Sequence, residues 1–434
     1  MRHPARHVAL LALLLCSLTQ AATKIEVYPD KETGVYAAGD TVTWKVDAKT
    51  LTGKLTWKLL LGGAEEIGKG EAELADGKAT LTGTRKDPGV LLLEVHLKDT
   101  DGKDVLGKGG AIFSPEKIER SAPVPDDFDA FWKGKVEELN KIPMNVQLSA
   151  PDTSVAGVEY YKITMDNING SKIYGQIAKP AGKNENLPIM LQVQYAGVYP
   201  LQKDWATGPA KQGWLAMNII AHDLPIDEKP EFYKEKAAKE LDDYPGIGND
   251  NRDTSYFLRM FLSCYRACDY LVARPEWNKK TLLVQGGSQG GYQTLMIAGF
   301  HPAVTAYAAN VPAGCDHTGK AAHRAPGWPN WASRVWQTTT RAPDAPKKDY
   351  AKMLETSRYF DCMNFATRIK APGLIGMGLV DSTCPPEGVY ATINQIKAEK
   401  KVIIMPRSGH GADGPGHGAY YKEYGPFLEE QRKK

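Results

Sequence analysis

Two patterns of apolar and polar residues divide this chain. From about Thr23 to Phe113 the apolar positions alternate with polar ones. Val42, Trp44 and Val46 form one such set, Leu55, Trp57, Leu59 and Leu61 a second, and Leu91, Leu93, Val95 and Leu97 a third. A period of two turns one face of a strand inward and leaves the other in water. Gly39-Asp40, Gly62-Gly63, Asp76-Gly77 and Asp101-Gly102 separate the runs, as turns between strands require. Short strands at this spacing predict a small all-β, immunoglobulin-like sandwich over residues 22–113. No chemistry is visible in it. A structural or oligomerisation module is the plain reading. A carbohydrate-binding module is the sharper one, without a clear aromatic platform to support it.

The pattern then changes. Ser114 to Pro125 reads as a proline-containing connector, and Asp126 to Leu139 as a helix with Phe128, Trp132, Val136 and Leu139 along one side. Residues 114–150 are therefore read as connector and helix, and 151–434 as the main domain. Tyr160–Met165 and Ile173–Ala178 predict an opening antiparallel pair. Ile189–Val193, Trp214–Ile220, Thr281–Gln285, Val304–Ala309, Gly373–Leu379 and Val402–Met405 predict a central parallel run, with helices such as Tyr256–Val272 between them. That is a doubly wound, mostly parallel α/β sheet.

The predicted strand at Leu282 to Val284 runs into Gly286-Gly287-Ser288-Gln289-Gly290-Gly291 and then a helical stretch. Strand, sharp turn and helix with a serine at the apex match the G-x-S-x-G nucleophile elbow. A tight β-to-α connection alone would also use such glycines. The later sequence favours the elbow. Asp381 follows one predicted strand and His410 the next, so three polar groups fall at the carboxyl ends of parallel strands. Ser288, Asp381 and His410 also occur in the chain order expected of α/β-hydrolases. A neutral His410 would take the serine proton while Asp381 orients the imidazole. His417 is a rival base, and Asp413 a rival acid. Glu387 reads as opening a helix after Pro385-Pro386. His222, His301, His317 and His323 read as packed or hydrogen-bonded histidines, with His222-Asp223 of added interest after an apolar strand.

Residues 1–21 have the pattern of a signal peptide: Arg2 and Arg6, an apolar core from Val8 to Leu15, and Thr19-Gln20-Ala21 before cleavage. A secreted or periplasmic location is expected, without a membrane association after export. The chain holds 54 basic and 51 acidic side chains. Loss of Arg2 and Arg6 brings the two closer still, which argues against a nucleic-acid footprint. Cys264, Cys268, Cys315, Cys362 and Cys384 would remain, an odd number that leaves at least one unpaired. Cys264 and Cys268 share a helix face and read as packing residues. No zinc spacing is present. A metal loop at His410 and His417 conflicts with the serine reading, so neither metal nor other cofactor is expected.

The residues also resemble a known family. Pro125-Asp126-Asp127-Phe128-Asp129-Ala130-Phe131-Trp132, Arg252-Asp253, Pro275-Glu276-Trp277, the Ser288 elbow, Val311-Pro312-Ala313-Gly314-Cys315-Asp316, Gly327-Trp328-Pro329, Asn364-Phe365-Ala366, Asp381-Ser382-Thr383-Cys384-Pro385-Pro386 and Gly409-His410 carry the likeness. The chain is similar to secreted bacterial enzymes of the acetyl xylan esterase and cephalosporin C deacetylase type, α/β-hydrolases, in the branch with an N-terminal β-domain. The resemblance implies removal of acetyl groups from xylan, xylo-oligosaccharides and related small esters. It carries the catalytic roles onto Ser288, Asp381 and His410. It implies an oxyanion hole from the N–H of Gln289 and that of Ala196, with Tyr195 as the alternative. Tyr195 stands where relatives often have glycine and would narrow the acyl pocket. Tyr195 and Trp328 are the expected substrate contacts; Trp328, Trp331 and Trp336 read either as aromatic walls of the site or as lid or interface packing. A homo-oligomer is compatible with the sequence. A serine peptidase on the same fold and a glycan-binding relative without catalysis are the competing functions.

Overall fold

The computed structural model describes residues 24–49, 51–334, 348–411 and 414–434. The predicted leader, Trp336 and Asp413 lie outside them. Eight strands come first: β1 (Glu26–Pro29), β2 (Val35–Tyr36), β3 (Thr41–Asp47), β4 (Lys54–Leu61), β5 (Glu65–Glu73), β6 (Lys78–Thr84), β7 (Gly89–Lys98) and β8 (Asp104–Phe113). They form a three-stranded sheet, β1-β3-β6, and a five-stranded sheet, β2-β8-β7-β4-β5. Every pairing is antiparallel except that of β2 with β8. Val42, Trp44 and Val46 of one sheet meet Leu91, Leu93 and Val95 of the other in a single buried core. The alternation in the sequence is thus the inside and outside of two facing sheets.

Nine further strands make one sheet: β9 (Gln147–Leu148), β10 (Val158–Asp166), β11 (Lys172–Pro180), β12 (Leu187–Val193), β13 (Leu215–Ile219), β14 (Trp277–Gly287), β15 (Ala306–Asn310), β16 (Gly373–Gly378) and β17 (Lys400–Met405). Its order is β17-β16-β15-β14-β12-β13-β11-β10-β9. β12 to β17 run parallel, and β9 to β11 close one side antiparallel. β12 lies between β13 and β14, so the order of winding reverses at its carboxyl end. Such a reversal opens a crevice between neighbouring loops. The predicted helix over 256–272 is present as Tyr256–Val272, with its apolar side buried.

One boundary differs from the sequence reading. The helix after the connector, Phe128–Asn140, is not a separate linker. Its Trp132 ring lies within 6 Å of Phe261, Phe300, Phe360 and Phe365. β9, before residue 150, pairs with β10 of the large sheet. The structural boundary therefore falls near residue 114 rather than 150. Apolar periodicity showed that the helix buries one side, but not against what. Even that boundary is crossed, because Val90 and Ile112 of the sandwich join the core of the large domain. Among the described residues no helix is long and apolar enough to cross a membrane.

Candidate active site

The elbow begins where β14 delivers the chain to the helix Gln289–Phe300. Ser288 sits between them at φ 56° and ψ −122°, a conformation L residues seldom adopt. The surrounding glycines explain how it is held. A Cβ on Gly286 would stand 2.6 Å from the Gly290 carbonyl carbon, and one on Gly290 would stand 2.7 Å from the Val193 oxygen. Strand and helix can cross this closely only without side chains there. The Ser288 N–H donates to the Asn310 carbonyl at 3.0 Å, which fixes the turn to β15.

Two other strands bring polar groups to the same edge. Asp381 lies three residues beyond β16, and His410 five residues beyond β17. His410 Nε2 is 2.8 Å from Ser288 Oγ, and its Nδ1 is 2.8 Å from Asp381 Oδ2. Asp381 is buried, and its Oδ1 accepts the N–H groups of Thr383 and Cys384, both at 2.8 Å. Three donors thus meet the Asp381 side chain: these two N–H groups on Oδ1 and His410 Nδ1 on Oδ2. With Asp381 accepting the hydrogen bond of the Nδ1–H, Nε2 is left as an acceptor facing the serine hydroxyl. The donor atoms of Asp381, Cys384 and His410 also lie within 4.8 Å of one another. Burial pushes the Cys384 thiol well above its ordinary range. The hydrogen bonds describe this cluster better than ligation does.

His417, the rival base, faces elsewhere. Its Nδ1 accepts from the Asn310 side-chain amide at 2.9 Å, and its Nε2 donates to the Gly409 carbonyl at 3.0 Å. It thus holds the backbone just before His410. Asn310 was missed in the sequence, where a polar residue closing the apolar run Ala306–Ala309 was the available signal.

The loop after β12 lies beside the elbow, as the contact of Gly290 with Val193 requires. It is tied along most of its length. Gln194 accepts from the Ala221 N–H at 2.9 Å and donates to the Tyr199 carbonyl at 3.1 Å. The Gln194 carbonyl accepts from Gln293 Nε2 at 3.0 Å. The Tyr199 hydroxyl donates to the Tyr195 carbonyl at 2.9 Å. His222 reaches the Gly197 carbonyl through Nε2 at 3.0 Å, and Tyr256 holds its Nδ1 at 2.7 Å. Burial keeps this imidazole neutral by lowering its pKa to about 4. The Tyr244 hydroxyl donates to the Gln289 side chain, joining the elbow to the same network. Ala196 and Gln289 accordingly sit on backbone that has little freedom, and the first N–H groups of the helix have no acceptor within it.

A family model for acetyl xylan esterase, AXE1, matches residues 116–423. The chain belongs to this family. Acetyl esterase Axe7A of Xylanibacter ruminicola is 35% identical over 349 residues, which span 79% of this chain and 75% of that protein. Two solved structures share the fold. The acetyl xylan esterase from Paenibacillus sp. R4 has a TM-score of 0.59 at 23% identity, covering 73% of this chain and 98% of its own. Acetyl xylan esterase 1 from Thermoanaerobacterium sp. JW/SL YS485 has 0.57 at 21%, covering 73% and 97%. The protein is an α/β-hydrolase and an acetyl esterase, with antiparallel β-sheets added before the family's own fold.

In this esterase Tyr195 is 52% exposed and stacks on Tyr199 at 4.7 Å between ring centroids. Trp328 is half-buried near Tyr244 and Phe257, and its backbone N–H donates to the Thr383 carbonyl in the Asp381 loop. Trp331 does not wall the site: it is buried, stacks on Phe257 and Phe360, and donates to the Asn249 carbonyl. Its aromatic surface serves the core. All five described cysteines are free and buried. His301 pairs with Asp269, His317 meets the Tyr292 hydroxyl, and His323 pairs with Glu65. Glu387 does open a helix, Pro386–Gln395, but it also holds two arginines that sequence spacing did not connect to it.

Proposed function

We propose that this acetyl esterase deacetylates xylan, xylo-oligosaccharides and related small acetyl esters through an acetyl-enzyme on Ser288. The continuous path from Ser288 Oγ through His410 to Asp381 carries the reading. Ser288 Oγ forms a bond to the acetyl carbonyl carbon while its proton passes to His410 Nε2. The resulting imidazolium faces the Asp381 carboxylate. The oxyanion lies against the N–H groups of Gln289 and Ala196, and a donor of this kind contributes about 3 kcal/mol. Collapse breaks the bond between carbonyl carbon and sugar oxygen, and His410 gives its proton to the leaving hydroxyl. Water then attacks the acetyl-enzyme with His410 again as base, releasing acetate and restoring Ser288.

The exposed Tyr195 and the half-buried Trp328 supply aromatic surface for a sugar ring near the Asp381 and Ala196 loops. Family membership, the relative named an acetyl esterase, and the leader-like residues 1–21 support an exported enzyme acting on plant-wall glycans. The test compares acetate release from defined acetylated xylo-oligosaccharides and from p-nitrophenyl acetate. Wild type should act on both, and Ser288→Ala, still folded, on neither. Retained activity in that variant would reject the nucleophile. Activity confined to the small ester would reject the glycan assignment.

A further inference from the structure

The residues matched by the family begin at 116, after the sandwich ends at Phe113. The sandwich nevertheless grips both ends of the loop that carries Asp381. At one end stands Leu379. A Cβ on Gly34 would lie 2.8 Å from its Cδ1, and a Cβ on Gly110 would lie 2.5 Å from both its Cβ and its carbonyl oxygen. These two sandwich glycines thus let Leu379 seat directly on backbone. At the other end stands Glu387, whose side chain is only 3% exposed. Arg85, in the turn between β6 and β7, donates to it through both terminal nitrogens, at 2.7 and 3.1 Å. The Val90 N–H donates to the same carboxylate at 2.7 Å. Arg324 adds a third contact at 3.2 Å, and itself bonds Asp316 and the Glu119 carbonyl.

Arg85 is built into its place. Its Nη1 also donates to the Val90 carbonyl at 2.7 Å. A Cβ on Gly89 would stand 2.1 Å from its guanidinium carbon. A two-pronged, desolvated arginine–carboxylate pair has one geometry, and removing one member leaves a buried charge short of partners. A further contact of the sandwich reinforces the arrangement: the Gly62 carbonyl in the turn after β4 accepts from the Ala325 N–H at 3.0 Å, in the segment leading to Trp328. Between Leu379 and Glu387 lie the Thr383 and Cys384 N–H groups that hold Asp381 Oδ1.

We infer that the N-terminal sandwich is a positioning element for the acid of the active site, with Arg85 as its key residue. It acts through Glu387 and the Asp381 loop and touches no substrate. This rests on the reading of Asp381 as the orienting acid, so its test separates the two.

The full-length enzyme is compared with Arg85→Ala, Arg85→Lys, Asp381→Asn and the double variant Arg85→Ala/Asp381→Asn, using p-nitrophenyl acetate and acetylated xylo-oligosaccharide. Arg85→Ala should lower kcat at least tenfold on both substrates with KM changed less than twofold. Arg85→Lys, which keeps the charge but not the fork, should recover part of that loss. In the Asp381→Asn background the same alanine change should cost less than twofold, because the group it positions is already gone. An equal cost in both backgrounds, an unchanged kcat in Arg85→Ala, or a rise in KM for the oligosaccharide alone would each overturn the inference. If Arg85→Ala fails to fold, Arg85→Lys in both backgrounds decides by the same criterion. Wild-type activity in Asp381→Asn would reject the acid itself.

Discussion

Gly290→Ala tests the geometry of the elbow most directly. The added Cβ meets the Val193 oxygen at 2.7 Å, about 0.7 Å inside ordinary contact, and its next neighbours are the backbone atoms of Gln194. No flexible side chain is present to move aside. Helix and β12 must separate, and with them Ser288 and the loop holding Ala196. Overpacking of this kind costs about 1–3 kcal/mol in stability. It outweighs the roughly 0.5–1 kcal/mol that alanine would otherwise gain over glycine within a helix. Misplacement of reacting groups by about 1 Å costs on the order of a hundredfold in rate. A shift of about 0.7 Å therefore predicts a ten- to hundredfold loss in kcat, about 1.4–2.8 kcal/mol in the barrier. Gly287→Ala is the control, since its nearest neighbour is the Asn310 oxygen at 3.6 Å. It should stay within about 0.5 kcal/mol and a few-fold in rate. Thermal unfolding, kcat on p-nitrophenyl acetate and titration of the reactive serine with an organophosphate give the three readings. Equal behaviour of the two variants, whether both intact or both impaired, would refute the steric argument.

The two candidate bases should separate cleanly on replacement by alanine: His410→Ala should lose at least a thousandfold in kcat, while His417→Ala, which removes the support of the Gly409 carbonyl and the partner of the Asn310 amide, should lose tenfold or less. Comparable losses would mean that the assignment by geometry is wrong. Acidification should destabilise the fold through two imidazoles, the buried His222 and the partly buried His317. Burial lowers His222 to about 4 and His317 to about 3, whereas both protonate near 6.5 when unfolded. The unfolded chain thus binds more protons below pH 6.5, and stability falls as pH drops from there toward 4. Asp361, raised to about 6 by burial, has the opposite sign and regains stability as pH falls through that value. The balance of the three is a loss of roughly 2 kcal/mol by pH 5, read as a falling Tm between pH 7 and pH 5. A flat or rising Tm would contradict it. Trp132→Ala should cost about 3–5 kcal/mol, because the ring is buried among four phenylalanines of the main domain. Unfolding within 1 kcal/mol of wild type would return that helix to the role of a linker.

The sequence by itself determined the local grammar. Alternation at Val42, Trp44 and Val46 specified a two-faced strand because successive side chains must point to opposite sides. Continuous apolar runs bounded by turns located the parallel strands, and the glycines around Ser288 marked a backbone turn that only small residues permit. Those are properties of neighbours along the chain. What only the tertiary structure decided depends on residues that are distant along it. Closeness to the preceding strand favours His410 over His417, but the choice is decided only when β15 brings Asn310 against one and the elbow brings Ser288 against the other. Periodicity could not say that Trp132 belongs to the main core, or that Trp331 is buried in it rather than facing the site. Glu387 looked like a helix-opening carboxylate and is one. Its grip on Arg85, about three hundred residues earlier, arises only when the sandwich docks beside the Asp381 loop, because an ion pair is selected by distance in space and leaves no period in the sequence.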